Sequence, residues 1–397
     1  MRINYFNYHY FTEGSSRGAA AKIRSIASWL EKLGHEVDLH FRWTASKAGD
    51  EPNAGHPKGL KKVKWLRRYA HVPRRLWRNR RFFREEKKIM REFQPDVLLA
   101  VNSFCYYSAL KASRKLRVPY VLFCDAPLEY EYSLFHRQYY SYPAISRRIE
   151  RKNVRCADEV ICISEILKGY MIHNGVPATK LHVVPNGVDH FQFKPGPKDA
   201  EIVARYNLDK KVVVGFTGSF NFFSDVMAFT DILKRICDRH AEATFLFVGK
   251  GPAGDEIEAA AKQKGLENRL VFTGAVPHKE VIRYLSAMDI VISPYRGDYL
   301  FYGSSLKLLE YMAAGKPAVV TALGQIKELV QDGYNGMLYN WDDDEAMLRK
   351  LSLLISAEEL RRRLGENARR TIEADWTWEK QAAKIAGVLQ QAIESRR

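Results

Sequence analysis

Two charged side chains, Lys307 and Glu310, stand three positions apart in a segment with strong helix signals. Residues three apart on a helix share one face, so a helix here would present both charges to the same side. The small polar residues at 303–305 are suited to opening that helix, Gly315 to ending it and Pro317 to preventing its continuation. We therefore expect a short helix that begins close to Lys307.

The start of such a helix has the chemistry of an anion site. Backbone N–H groups of Ser304, Ser305 and Leu306 would be available there, and the positive end of the helix dipole favours a phosphate. Lys307 would add a full positive charge, and Glu310, one turn later, could accept hydrogen bonds from the two hydroxyls of a ribose. The pattern predicts a sugar-nucleotide site. The alternative is an exposed ion pair between Lys307 and Glu310, worth about 0.2–0.5 kcal/mol.

A metal ion is not required by this chemistry. Breaking a sugar–diphosphate bond develops negative charge on the leaving oxygen, and the helix end with Lys307 can stabilise that charge. The acidic run at 342–345 is the other place to look for a metal, but it opens a helical pattern, so we interpret it as a helix cap. We expect no metal and no cofactor.

The elements that position this segment alternate between strands and helices. A strand at 1–10, a small-residue loop containing Gly14, a helix to Leu33 and a returning strand form a β-α-β unit, and further strand patterns follow. A stretch rich in proline and polar residues at 190–200 is typical of a linker. Six more strand patterns with helices between them follow it. The alternation predicts an α/β protein with two doubly wound parallel sheets, in domains at 1–190 and 191–375.

The net charge of +17 is concentrated in one stretch. Residues 58–91 hold 15 Lys and Arg against two acids, interleaved with aromatic residues, and the stretch is expected as helices. Cations among aromatic residues suit an anionic membrane surface or a lipid-linked acceptor. A solvated basic helix pair with its aromatic residues turned to the core is the alternative, and nucleic acid is a weaker one.

Composition sets the class of protein. A content of 46% apolar residues is ample for packed cores, and the five cysteines are scattered without a CxxC pair, so we expect buried reduced thiols. The first ten residues lack the apolar run of a signal peptide, and no run approaches the length of a membrane span. We expect a cytoplasmic protein that can associate peripherally with the inner membrane face.

With these motifs in order, the chain resembles the retaining glycosyltransferases of family 4 (glycosyl transferases group 1) over nearly its whole length. The motifs are the loop around Gly14, VVPNGVD at 183–189, FVGKGP at 247–252, VFTGAVP at 271–277 and LLEYMAAGKP at 308–317. The resemblance implies a GT-B fold, in which two Rossmann-like domains face a cleft and a last helix, here 376–397, packs back on the first domain. It implies transfer of a hexosyl or N-acetylhexosaminyl group from a nucleoside-diphosphate sugar, with a UDP-sugar favoured, to a glycan, a lipid-linked or a small-molecule acceptor.

Carried over by position, the resemblance also assigns the donor site. Lys307 and Glu310 would meet the phosphates and the ribose, Val276 lies where the nucleobase meets backbone groups, and Gly14 and Arg17 would approach the phosphates from the first domain. Two positions depart from the family. Tyr302 replaces a glutamate that contacts the donor sugar, and Ser219 replaces an arginine that, with a following lysine, meets the diphosphate.

On the acceptor side, the family often places a histidine where this chain has Asp125. We expect Asp125 to orient the acceptor hydroxyl, to stabilise an oxocarbenium-like centre or to cap the turn before Pro127. Glu129 and Glu131 are nearby acceptor candidates. His278, which follows Pro277 at the start of a helical pattern, is expected at the surface or as a cap.

Two other functions fit part of the pattern. A sugar-nucleotide epimerase shares the two-domain layout, but Tyr302 removes one of the carboxylates that it would need. A catalytically impaired module that only binds a nucleotide sugar is favoured by the missing arginine–lysine pair.

Overall fold

The computed structural model of the chain describes residues 1–8, 17–41, 64–220 and 226–396. Its strands are β1 (Arg2–Asn7), β2 (Glu36–Phe41), β3 (Val97–Val101), β4 (Tyr120–Cys124), β5 (Glu159–Cys162), β6 (Leu181–Val183), β7 (Val212–Thr217), β8 (Ala243–Val248), β9 (Leu270–Phe272), β10 (Ile290–Ser293), β11 (Ala318–Thr321) and β12 (Met337–Tyr339).

The α-helices are α1 (Arg17–Lys32), α2 (Lys64–Phe93), α3 (Ser108–Leu116), α4 (Leu128–Leu134), α5 (Pro143–Cys156), α6 (Glu165–His173), α7 (Ala200–Arg205), α8 (Val226–Arg239), α9 (Pro252–Gln263), α10 (Val281–Ser286), α11 (Leu306–Ala313), α12 (Ile326–Leu329), α13 (Asp344–Ser356), α14 (Glu358–Asp375) and α15 (Trp378–Glu394). Two compact units contain them. Unit 1 is Met1–Pro185 with Trp378–Arg397, and unit 2 is Asn186–Thr377.

The sheet of unit 1 has six parallel strands in the order β2-β1-β3-β4-β5-β6. Strands β3, β4 and β5 are buried along their whole length, which is typical of a parallel sheet covered on both faces. The strand order reverses between β1 and β3, and ligands of such sheets bind outside the carboxyl ends of the strands near that point. Helix α15 packs on this unit, with Trp378, Ile385 and Leu389 buried.

The sheet of unit 2 also has six parallel strands, in the order β12-β11-β10-β7-β8-β9. Successive residues of a strand enter different cores: Phe245 and Phe247 pack on one face of the sheet, and Leu246 and Val248 on the other. This alternation identifies a doubly wound sheet with helices on both sides, and the predicted fold class is confirmed. The strand order reverses between β7 and β10, and α11 is the helix that follows β10.

The basic stretch forms one helix rather than several. Helix α2 has 30 residues and continues through Pro73. Its buried face extends across that proline, from Val72 to Phe82 and Met90, so packing against the unit offsets the hydrogen bond that the proline removes. The expectation of a helix pair was wrong for this reason. Residues 58–63 lie outside the described part of the chain.

Two smaller expectations are confirmed. Asp343 caps α13, since its carboxylate accepts the N–H of Ala346 at 2.8 Å. The five cysteines are free thiols, and Cys105, Cys124 and Cys162 are buried as expected. Among the described residues, no helix combines the length and the apolar character needed to cross a bilayer.

Candidate functional site

Helix α11 begins at the carboxyl-end edge of the unit 2 sheet. Ser305 is its N-cap, and the Ser305 hydroxyl accepts the N–H of Leu308 at 3.4 Å. The Tyr311 hydroxyl accepts the N–H of Thr217 at 2.6 Å and donates to the Thr217 carbonyl at 3.2 Å, so the helix is tied to the last residue of β7. Gly315, with φ of 69°, takes the left-handed conformation just after the helix end. The predicted helix and its boundaries are confirmed.

The start of α11 has backbone N–H groups that are available to a ligand. Within the described part of the chain, no acceptor receives the N–H groups of Ser305, Leu306 and Lys307. Tyr302, directly before this segment, is half-buried, and its N–H donates to the Leu300 carbonyl at 3.1 Å. The helix start therefore offers N–H groups that can bind an anion.

The ammonium group of Lys307 lies over two aromatic rings. Its Nζ is 4.2 Å from the centre of the Phe216 ring and 5.2 Å from that of Tyr295, and the Tyr295 hydroxyl is 2.8 Å from the Ser305 hydroxyl. No carboxylate lies within 4.0 Å of Lys307 among the described residues. The rings hold the charge in place without neutralising it.

Glu310 pairs with His278 and not with Lys307. The distance between His278 Nε2 and Glu310 Oε1 is 2.7 Å, and only 13% of the Glu310 side chain is exposed. The hydrogen bond to Glu310 raises the pKa of His278. The alternative of an ion pair between Lys307 and Glu310 was wrong, and so was the surface or capping role expected for His278. The two partners are 32 positions apart, which is why no local pattern indicated the contact.

Ser304 is held by Asn186. This asparagine is part of the VVPNGVD motif, but the sequence gave it no role. The Ser304 hydroxyl accepts the N–H of Asn186 at 3.0 Å, and its carbonyl accepts the Asn186 amide at 2.8 Å. Both residues are buried. Asn186 therefore fixes Ser304 in place through both the hydroxyl and the carbonyl oxygen.

The loops after β7 and β8 lie against each other at the same edge. The N–H of Gly218 donates to the Val248 carbonyl at 2.8 Å, and a Cβ at Gly249 would lie 1.8 Å from the Gly218 carbonyl oxygen. Only glycine fits at position 249. Ser219 follows in an exposed turn, and Lys250 is an exposed cation in the adjoining loop, without a carboxylate partner among the described residues. Sequence reasoning did not single out Lys250.

The remaining donor candidates are placed as follows. Val276 is half-buried and packs against the core beneath α10 and α11. Gly14 and the side chain of Arg17 lie outside the described residues.

In unit 1, Asp125 follows β4 and forms an ion pair with Lys22 of α1. The Lys22 side chain is 4% exposed and that of Asp125 is 13% exposed, and the Lys22 ammonium lies 4.5 Å from the centre of the Phe123 ring. Burial lowers the pKa of Lys22. Sequence reasoning missed Lys22, which is 103 positions from its partner.

The cap of α4 comes from a residue that was not predicted. Glu150 accepts the N–H groups of Leu128 and Glu129 at 3.0 and 2.9 Å. Desolvation raises the pKa of Glu150 to about 7. Glu150 therefore caps the first turn of α4, just after Pro127.

The two acceptor candidates on α4 are both half-buried. The carboxylate of Glu129 accepts from Arg147 at 2.9 Å and from the Tyr140 hydroxyl, and Glu131 lies in the same first turn of α4. A pocket that is open to solvent in unit 1 is lined in part by Glu129, Arg147 and Glu150.

Solved structures with this architecture define the class. A sucrose-phosphate synthase from Thermosynechococcus elongatus superposes with a TM-score of 0.71 at 18% identity, covering 99% of both chains. Anabaena Alr3699/HepE, crystallised in complex with UDP, gives a TM-score of 0.69 at 20% identity, covering 98% of this chain and 100% of that one. The chain has the GT-B fold.

Sequence comparisons identify the family. The model of Glycosyltransferase Family 4 matches residues 16–191, and that of Glycosyl transferases group 1 matches residues 211–357. The alpha-monoglucosyldiacylglycerol synthase of Streptococcus pneumoniae is 24% identical over 87% of this chain and 77% of its own length. An uncharacterized glycosyltransferase of Methanocaldococcus jannaschii, MJ1069, is 28% identical over 60% of this chain, and the match spans 59% of that relative. The match to the alpha-D-kanosaminyltransferase of Streptomyces kanamyceticus spans 64% of that protein.

The chain belongs to the family 4, group 1 glycosyltransferases, and the resemblance stated from its motifs is confirmed for the family and for the fold.

Proposed function

We propose that the protein is a retaining glycosyltransferase that moves a hexosyl or N-acetylhexosaminyl group from a nucleoside-diphosphate sugar, with a UDP-sugar favoured, to a hydroxyl acceptor. The uncompensated charge of Lys307 beside unused N–H groups carries this proposal. A diphosphate leaving group gains negative charge as its bond to the sugar breaks. A fixed ammonium and fixed N–H groups stabilise that charge where it develops.

The other donor contacts are proposed from the positions of these residues in the family motifs. Glu310 is one turn beyond Lys307 and would accept hydrogen bonds from the ribose, while Val276 would meet the base through its backbone and Tyr302 the sugar. Anabaena Alr3699/HepE, which has the same fold, was crystallised in complex with UDP, and this supports uridine as the base. The helix end and Lys307 supply the charge stabilisation, so we propose that transfer needs no metal ion.

Asp125 is proposed to orient the acceptor. Its pairing with Lys22 fixes the direction of the carboxylate, which suits a group that accepts a hydrogen bond from an attacking hydroxyl. Glu129 and Glu131 would line the acceptor side.

Substitution of Lys307 by Met tests the donor site. We expect UDP binding by calorimetry to weaken and the kcat of donor hydrolysis or transfer to fall at least tenfold, since loss of one such group typically costs about 2.7–4 kcal/mol in the transition state. Lys327→Met, at an exposed position of α12, is the matched control and should leave both unchanged. Activity of Lys307→Met equal to wild type with the working donor would remove Lys307 from the site.

The same assays separate the alternatives. Donor binding without turnover on any acceptor would indicate a binding module, and solvent-proton exchange into the donor sugar without an acceptor would indicate an epimerase. Turnover that EDTA abolishes and magnesium restores would overturn metal independence.

We further propose that the acceptor is lipid-linked and is met at an anionic membrane surface through α2. The outward face of this helix carries exposed cations on both sides of Trp77, which is 66% exposed. These cations are Arg74, Arg80, Arg81, Arg84, Lys88 and Arg91. A cationic face with an exposed tryptophan favours the interface of anionic lipid. One relative is named for a glucosylated diacylglycerol, which supports a lipid acceptor.

Vesicle sedimentation tests this surface. We expect binding to phosphatidylglycerol vesicles at low salt, and a loss of about 30-fold in Arg84→Gln/Arg91→Gln, because each cation near the surface contributes about 1 kcal/mol. Arg363→Gln/Arg370→Gln on α14 removes two exposed cations at the same spacing and should leave binding unchanged. Equal sedimentation of both double variants would show that α2 is not the membrane face.

A further inference from the structure

The contact between His278 and Glu310 joins two loops at the carboxyl-end edge of the unit 2 sheet. His278 opens a 3₁₀ turn, 278–280, after β9, and Glu310 is on α11 after β10. The imidazole Nε2 and the carboxylate Oε1 are 2.7 Å apart, and the Phe193 ring lies 5.6 Å from the imidazole, centre to centre. The imidazole is thus held between an aromatic ring and the carboxylate.

This contact uses one carboxylate oxygen and leaves the other. Among the described residues, Oε1 is the Glu310 atom that receives a hydrogen bond, and none of them donates to Oε2. A glutamate side chain has three rotatable bonds and loses orientation readily unless a partner fixes it. His278 supplies that partner from a separate loop, so the direction of Oε2 depends on it.

We propose that His278 is a positioning residue, which holds Glu310 so that its second oxygen receives the ribose hydroxyls of the nucleotide. The inference rests on the proposed donor site and adds to it the group that sets its selectivity for ribonucleotides. His278 itself touches no reacting atom in this scheme. It acts through Glu310, and the loop after β9 is thereby linked to ribose recognition as well as to the base.

Binding of UDP and of 2′-deoxy-UDP, measured by calorimetry, tests the proposal; GDP and 2′-deoxy-GDP are used if the protein binds guanosine nucleotides more tightly. We expect the wild type to prefer the ribonucleotide. In His278→Leu that preference should fall by about tenfold, the size of one hydrogen bond to a charged group. The effect should appear in the donor KM more than in kcat. His278→Gln places an amide N–H near the position of Nε2–H and should restore most of the preference.

Two further variants distinguish positioning from general damage. Unit 1 contains a similar pair, His182 with Glu159 at 2.7 Å, so His182→Leu removes an equivalent imidazole away from α11 and should leave nucleotide preference unchanged. Combining His278→Leu with Glu310→Gln should have no larger effect than Glu310→Gln alone, because both remove one function. If His278→Leu does not fold, His278→Asn, whose amide is too short to reach Glu310, serves the same purpose.

The outcomes distinguish the positioning role of His278 from the proposed donor site on which it rests. Wild-type preference in folded His278→Leu or His278→Asn, together with lost preference in Glu310→Gln, would overturn the role of His278 while leaving the donor site intact. Unchanged preference in Glu310→Gln would overturn the ribose role of Glu310 and the inference with it. Loss of preference in both single variants without additivity would support the proposal.

Discussion

The two units differ in whether the charged side chains at the carboxyl-end edges of their sheets have partners of opposite charge. In unit 2, the ammonium of Lys307 lies over the Phe216 and Tyr295 rings and has no carboxylate partner among the described residues. In unit 1, the buried ammonium of Lys22 is paired with Asp125, and Glu129 is paired with Arg147. Among the described residues, Lys307 at the edge of unit 2 can therefore bind an added anion, whereas Lys22, Asp125 and Glu129 in unit 1 are already in ion pairs.

This difference indicates what each edge is suited to receive. A cation without a partner gains most when an anion arrives, which fits a diphosphate above Lys307. A carboxylate that is already paired gains little from a second cation, but it remains a fixed acceptor for a neutral O–H donor. The contrast therefore supports a charged donor at the edge of unit 2 and a hydroxyl acceptor near Asp125.

The largest expected effect comes from making the same substitution at both edges. Lys22→Met removes the buried cation that is paired with the nearly buried Asp125 carboxylate, and we expect the free energy of unfolding to fall by about 3–5 kcal/mol. Lys307→Met removes only a cation–π contact of about 0.5–1 kcal/mol and should leave stability almost unchanged. Urea denaturation followed by circular dichroism at pH 7 measures both.

A double variant identifies the source of that loss. Lys22→Met/Asp125→Leu removes both members of the pair and should be more stable than Lys22→Met alone, because replacing a buried ion pair by apolar side chains costs less than removing one partner. Equal destabilisation by Lys22→Met and Lys307→Met would break the comparison between the two edges.

What the sequence predicted about the site was local in the chain. Ser305, Lys307, Gly315 and Pro317 lie within 13 positions, and capping rules and helix periodicity act over that range, so the start and end of α11 were predicted correctly. The alternation of strands and helices predicted both doubly wound sheets for a similar reason, since each element carries its own pattern.

What the sequence did not predict depends on contacts between distant elements. His278 with Glu310, Lys22 with Asp125 and Asn186 with Ser304 are separated by 32, 103 and 118 positions. No periodicity connects such pairs, because the strand order of the sheet brings them together. Some signal was present, since Asp125 directly follows β4 and Asn186 comes shortly after β6. That signal identifies the edge and does not identify the partners.

The smallest expected effect is a pH dependence of the free energy of unfolding, which comes from the His278–Glu310 pair in unit 2. Hydrogen bonding to Glu310 raises the pKa of His278 above its unfolded value of about 6.5. The folded state therefore binds the proton more tightly, and this contribution to stability is complete below about pH 6 and is lost as pH rises through the folded pKa. We expect His278→Gln to reduce the free energy of unfolding more at pH 6 than at pH 9, by less than about 1 kcal/mol because the pair is partly exposed. Added UDP should make the effect of His278→Gln at pH 6 more similar to its effect at pH 9, because the ribose hydroxyls would share the Glu310 carboxylate with His278. A loss that is larger at pH 9 would contradict an ion pair at the donor edge and would assign His278 a neutral role in packing.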